Sequence, residues 1–153
     1  MLARRRAKGR KRLTPKGTER KFAVTPKPDS GSRPAPDQRL PRSRILRLRT
    51  DFQRIKAQGK RQTGRHLVCN YLIRPEEPRL AGFVVPKACG NAVARNRIKR
   101  CLRELYRRCQ ASLPEHLQSV WIARKSAGAV DRAALAQDFD LLRERCGWAG
   151  KPR

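Results

Sequence analysis

Acidic side chains are scarce in this chain. Its 153 residues carry 12 Asp and Glu against 39 Lys and Arg, a formal net charge of +27. Charge this one-sided repels itself in a compact state and asks for a polyanionic partner, nucleic acid first and an anionic membrane surface second. Long apolar runs are absent as well. With no apolar stretch of about eighteen residues, a transmembrane helix is excluded. A secretory signal is not expected, since Leu2 and Ala3 run straight into Arg4, Arg5 and Arg6 with no apolar region behind them. An organelle transit peptide shares that arginine-rich start, and composition alone does not separate the two.

Metal ligands and nucleophiles are thin too. The only histidines are His66 and His116, and the five cysteines (Cys69, Cys89, Cys101, Cys109, Cys146) contain no CxxC pair. An odd count at wide spacing makes a poor disulfide framework. A structural zinc site wants four ligands in close pairs. The expectation is buried or half-buried thiols in a reducing compartment, hence a cytoplasmic protein with no metal of its own. No Ser/His/Asp set can be assembled, and Glu76 and Glu77 sit side by side in a turn, a poor geometry for acid/base work. Gly90 lacks the spacing of a nucleotide loop. No catalytic side chain is expected; the chain reads as a binder.

Residues 1–45 hold 15 Lys or Arg, three acids and six prolines, with Phe22 and Val24 nearly alone as apolar residues. So little burial cannot offset chain ordering, which predicts a disordered basic arm suited to phosphate. Periodicity begins after it. Leu48, Phe52 and Ile55 make an apolar stripe on a short helix, with Thr50 and Gln53 as a capping pair and Gly59 as a stop. A polar turn is expected at 60–65. Leu67–Ile73 and Leu80–Val85 then read as strands, paired as an antiparallel hairpin around Pro75–Pro78. A helix follows from about Asn91 to Cys109, then a short strand at Val120–Ala123. A last helix runs from about Arg132 to Arg145, with Leu135, Phe139 and Leu142 inward. The pattern is an α+β sandwich over residues 46–147, followed by a short tail, 148–153.

The helix after Asn91 carries the information. Residues 87–109 contain eight Lys or Arg and one acid, Glu104. At about 100° per residue, Ile98, Cys101, Leu102, Leu105 and Cys109 share one sector, the buried face. Arg95, Asn96, Lys99, Arg100, Arg103 and Arg107 gather in the neighbouring sector, with Arg97 and Arg108 on the far side. Like charges so placed are unfavourable without a partner, and a phosphate backbone removes that cost. Asn96 can bond a base edge, sugar or phosphate. Asn91 is placed to cap the helix, leaving first-turn N–H groups for a phosphate. Phe52, Tyr71 and Phe83 offer stacking surface for unpaired bases, with core packing as the competing role.

The segment Gly90-Asn91-Ala92-Val93-Ala94-Arg95-Asn96-Arg97-Ile98-Lys99-Arg100, continuing to Arg103, Glu104 and Arg107, closely resembles the signature of the bacterial ribonuclease P protein subunit. The resemblance extends over about 100 residues, taking in Asp51-Phe52, Gly59, the run Gly82–Lys87, Ile122–Lys125 and the final helix. It implies a small two-layer α+β sandwich of order αβββαβα or close to it. A left-handed βαβ crossover is implied too, in a fold shared with a ribosomal protein domain. It implies a non-catalytic subunit, monomeric in a 1:1 complex with a catalytic RNA, that assists removal of the 5′ leader from precursor tRNA. The chemistry would belong to the RNA with Mg²⁺.

Carried over by residue, Lys87, Arg95, Asn96, Arg97, Lys99, Arg100, Arg103 and Arg107 would face the catalytic RNA. Phe52 matches the aromatic that lines a cleft for the single-stranded leader, to which Lys56 and Arg65 would bring charge and Tyr71 and Phe83 further ring surface. This sequence departs from the family where an aromatic is common, having Lys56 one turn after Phe52 and Asn70 in the first long strand. A ribosomal protein is the runner-up on charge and fold, and a DNA-binding protein the third reading, without a helix-turn-helix pairing to support it.

Overall fold

The computed structural model describes residues 39–149, so the part of the expected arm before residue 39 lies outside the described residues. Seven main elements follow: α1 (Arg49–Gln58), β1 (Lys60–Thr63), β2 (Leu67–Ile73), β3 (Leu80–Val84), α2 (Ala92–Cys109), β4 (Leu117–Ala123) and α3 (Arg132–Arg145). The order αβββαβα matches expectation, and so do the bounds of α3.

The pairing differs from the expected hairpin. The four strands lie in the order β1-β2-β4-β3, with β4 between β2 and β3. It is antiparallel to β2 and parallel to β3. The chain brings β4 to the centre because Val120 and Trp121 are apolar on successive positions and bury on opposite faces, at 3% and 0% exposure. A strand buried on both sides belongs in the middle. The β3–α2–β4 unit is thus the parallel crossover of the fold. The polar stretch expected to be a turn is instead β1, Lys-Arg-Gln-Thr, paired antiparallel to β2. Its charged, mostly exposed residues suit an edge strand and discourage pairing with another sheet.

Strand alternation sorts the side chains. Leu67, Cys69, Tyr71, Ala81, Phe83, Leu117, Trp121 and Ala123 pack with Ile98, Leu102 and Tyr106 of α2 and with Leu135, Phe139 and Leu142 of α3. Trp121 stacks on Phe139 at 4.0 Å between ring centroids. The other face carries Val120 and the half-buried Leu80, Val84 and Ile122, and α1 covers part of it with Ile55 and Phe52.

The domain reaches slightly beyond the expected limits. Ile45 bridges to Ala81 beside β3, and Leu46 donates its N–H to the Ala81 carbonyl at 2.9 Å. At the other end Trp148, expected in the tail, meets Tyr71 edge-on at 4.6 Å. Thr50 does not cap α1: Leu48 occupies that position without a side-chain bond, and Thr50 lies in the first turn.

Candidate nucleic-acid interface

The basic helix is built as its sequence asks. Gly90 adopts φ +127°, where side chains are strained. Asn91 then caps α2, its side-chain oxygen accepting from the Ala94 N–H at 2.9 Å. Ile98, Leu102, Tyr106 and Cys109 are buried, while Cys101 and Leu105 lie half-buried at the edge of the core. Tyr106 was not among the expected core residues, although its i+4 spacing from Leu102 signals it. Its ring meets Phe83 edge-on at 5.7 Å, and burial pushes its hydroxyl up to about 12.

On the outer side, Asn96, Arg97, Arg100 and Arg103 are exposed, Arg95 and Lys99 are half-buried, and Lys87 is exposed in the turn before the helix. Arg107 is not free. It holds Glu104 through two nitrogens at 2.9 and 2.7 Å, and Arg108 adds a third bond at 3.0 Å. These guanidiniums, Arg107 first, hold the Glu104 carboxyl down to about 2 against the cost of its partial burial. The side chains of Arg97, Lys99, Arg100 and Arg103 have no hydrogen bond or ion pair among the described residues. The buried Nε of Arg95 has no partner either. Four unpaired cations and one orphaned donor on one helix make a surface prepared for an anion.

A groove of about 640 Å³ runs beside this face. Lys99, Arg100, Arg103 and Arg107 form one wall, and Arg42, Ile45, Leu46 and Arg47 the other. The sequence reading placed residues up to 45 in the arm and so missed Arg42, and it gave Arg47, just inside the domain, no role. The signal was there in Ile45 and Leu46, an apolar pair able to anchor the segment. Arg95 and Asn96 border a smaller recess of about 150 Å³ with Val85, Ala92 and Lys99.

The expected leader cleft comes together only in part. Phe52 is half-buried over the α1-covered face of the sheet, where a Cβ at Gly82 would lie 2.7 Å from its ring. Glycine there lets the aromatic ring lie on the strand. Lys56 and Arg65 are exposed, on α1 and on the β1–β2 turn. Tyr71 and Phe83 do not join them. Both belong to the core under α2 and α3, on the opposite face, since one residue along a strand reverses its side. The face near Phe52 instead carries Val84 and Ile122, both half-buried. Arg61 pairs with Asn70 in the ladder, and so shares this face. The side-chain Oδ1 of Asn70 is buried and unpartnered. Arg61 was missed because its strand read as a turn.

Two polar clamps hold these surfaces in place. Asp138 of α3 accepts three backbone N–H groups, from Arg65, His66 and Leu67, at 2.8–2.9 Å. At the far end of α1, Arg54 bonds Glu77 at 3.0 Å and Gln118 at 3.1 Å, and Gln118 also donates to Glu77. The Gln118 bond leads in lowering the Glu77 carboxyl, with Arg74 and Arg54 adding to it. Among the described residues no group of three or more His, Cys, Asp or Glu is placed to hold a metal ion.

A small α+β sandwich whose longest helix turns unpaired arginines outward, beside a half-open aromatic and apolar sheet face, defines an RNA-binding class of protein. The family model for Ribonuclease P matches residues 40–147. A ribonuclease P protein component from Streptomyces avermitilis is 42% identical over 116 residues, covering 69% of this chain and 94% of that protein. The Staphylococcus aureus RNase P protein superposes with a TM-score of 0.66 at 25% identity, covering 70% of this chain and 98% of that one. For the Thermotoga maritima RNase P protein the TM-score is 0.58 at 30% identity, covering 65% of this chain and 96% of that one. This chain belongs to the ribonuclease P protein family.

Proposed function

We propose that this chain acts as the accessory protein of a ribonuclease P. It binds the catalytic RNA through α2 and holds the single-stranded 5′ leader of precursor tRNA beside α1, while the RNA cleaves the leader with Mg²⁺. The observation that supports this best is the set of unpaired cations Arg97, Lys99, Arg100 and Arg103 with the orphaned Arg95 Nε, on a capped helix whose apolar face is buried. Arginine offers a planar fork of donors to phosphate, so the row positions an RNA backbone without reading its sequence. The protein supplies binding and orientation, and magnesium is recruited with the RNA phosphates. Among the described residues no helix is long and apolar enough to cross a membrane, in keeping with work in the cytoplasm.

The test is 5′ processing of a precursor tRNA by the cognate RNA at low Mg²⁺, with and without the protein. Wild type is expected to restore cleavage at the mature 5′ end. Each charge-assisted contact is worth about 1.5–3 kcal/mol, so Arg95→Ala with Arg97→Ala is expected to weaken RNA binding by about a hundredfold or more and abolish rescue. Rescue by the double variant equal to wild type would refute the assignment of α2. On the leader side, Lys56→Ala is expected to weaken binding of precursor tRNA by the holoenzyme and leave mature tRNA unaffected. Equal affinities for the precursor would remove Lys56 from the cleft.

A further inference from the structure

The Arg-Asn-Arg triplet does not form one surface. Arg95 borders the small recess by Val85, whereas Arg97 lines a separate groove on the other flank of α2. This second groove, about 1120 Å³, lies between α2 and the start of α3. From α2 it takes Val93, Arg97, Arg100 and Cys101, spaced as one helical stripe, and from the facing wall Val130 and Arg132. Its lining is mixed in a particular way. Val93 is 77% exposed in the first turn of α2, and Val130 and Cys101 are half-buried across from it. Arg97, Arg100 and Arg132 are exposed, and their side chains have no hydrogen bond or ion pair among the described residues. Of the two acids at the groove, Asp131 caps α3 by accepting from the Ala134 N–H at 2.9 Å and keeps its charge, whereas Glu104 is held by Arg107 and Arg108, so the cations of the groove remain in excess.

The net chemistry is an apolar floor rimmed by three unpaired guanidiniums. An apolar peptide would leave those cations uncompensated, and a basic one would be repelled. An unpaired nucleotide meets both demands, because its base has an apolar face and its phosphate a charge that arginine forks match. We propose that the groove between α2 and α3 receives a single unpaired nucleotide of the catalytic RNA, its base against Val93 and Val130 and its phosphate on Arg97 and Arg132. The proposal rests on the ribonuclease P reading above and adds a second contact face. On this view α2 is a wedge, with one RNA segment on the Lys99–Arg103 flank and an extruded nucleotide on the Arg97–Arg132 flank.

The experiment uses the full chain and the transcribed catalytic RNA. It measures affinity across a salt series for wild type, Arg132→Ala and Val93→Asp, with chemical probing of unpaired nucleotides in each complex. Val93 is well exposed, and an acid in the first turn suits the helix, so the second variant keeps the fold. Arg132→Ala is expected to weaken binding about fivefold to tenfold and to lower the salt slope by about one. Val93→Asp is expected to weaken it about tenfold, by bringing a carboxylate against the base and phosphate. One nucleotide protected by wild type should regain its reactivity with both variants. Affinity and slope unchanged in both would overturn the proposal. So would a loss confined to Arg132→Ala with no nucleotide released, which would mean a backbone contact only. If wild type bound the catalytic RNA no better than an unrelated structured RNA, the underlying reading would fall as well, a result recognisable without any variant.

Discussion

Asp138 shows how much one buried side chain can organise. Its two oxygens collect three successive N–H groups of the β1–β2 turn, and a Cβ at Gly64 would lie 2.5 Å from one of them. Replacing it by alanine strips three backbone donors of their acceptor at once, one buried and two partly so. Asp138→Ala is therefore expected to destabilise the fold by about 3 kcal/mol or more, read as a lower denaturation midpoint in urea with an unchanged slope. The cysteines divide by the same logic of surroundings. Burial pushes Cys109 up to about 11 and raises Cys69 well above the ordinary thiol, while a hydrogen bond with Cys69 lowers the half-buried Cys146. Since the thiolate is the reactive form, Cys146 is expected to be alkylated first in the native protein. Cys69, Cys89 and Cys109 should stay protected until unfolding, and labelling of Cys109 ahead of Cys146 in a mass-spectrometric time course would contradict this.

At the scale of the element, α2 serves two masters. Glu104 neutralises the last turn, and its carboxyl lies at about 2 in place of 4.5. A carboxylate lowered on folding stabilises fully above the unfolded range near 4.5, and that contribution is lost as pH falls toward 2. Glu104→Gln is therefore expected to reduce the stability difference between about pH 6 and pH 3 seen in the wild type. The same change frees Arg107 and Arg108 for phosphate, so RNA affinity should rise as stability falls.

How legible each element was follows from where its signal resides. Helices α2 and α3 declare themselves locally, by 3.6-residue periodicity and by Asn91 and Gly90 at one entrance, and their limits were readable almost to the residue. The strands do not carry their partners with them. Nothing within Leu67–Ile73 or Leu80–Val84 says that β4, over thirty residues later in the chain, will come between them. A short Pro-Glu-Glu-Pro connection looks like a hairpin whether or not its strands pair. β1 was hidden because an edge strand with few buried residues has no apolar alternation to show. The basic face of α2 was visible from the sequence, whereas its division into two grooves was not. That division depends on Arg42 and Arg47 on one side and on Val130 and Arg132 on the other, which only the tertiary fold brings up to the helix.

For the whole molecule, charge sets two opposing responses to salt. With +27 on 153 residues, the free protein must fold against its own repulsion. Added salt screens that repulsion over a distance of about 10 Å at 0.1 M, and should stabilise the free fold. RNA binding must move the other way. Each phosphate neutralised releases counterions, so affinity falls steeply as salt rises. The thermal midpoint of the free protein is thus expected to climb between about 0.05 and 0.5 M monovalent salt, over the range where RNA affinity drops by orders of magnitude. The RNA itself should raise the midpoint most at the lowest salt, where it both binds tightest and relieves the most repulsion. A calorimetric series with and without RNA tests both limbs together. A free protein whose midpoint ignored salt would mean that the excess charge is already dispersed widely enough to cost nothing. In that case the unpaired arginines of α2 would owe their placement to RNA geometry and not to relief of repulsion.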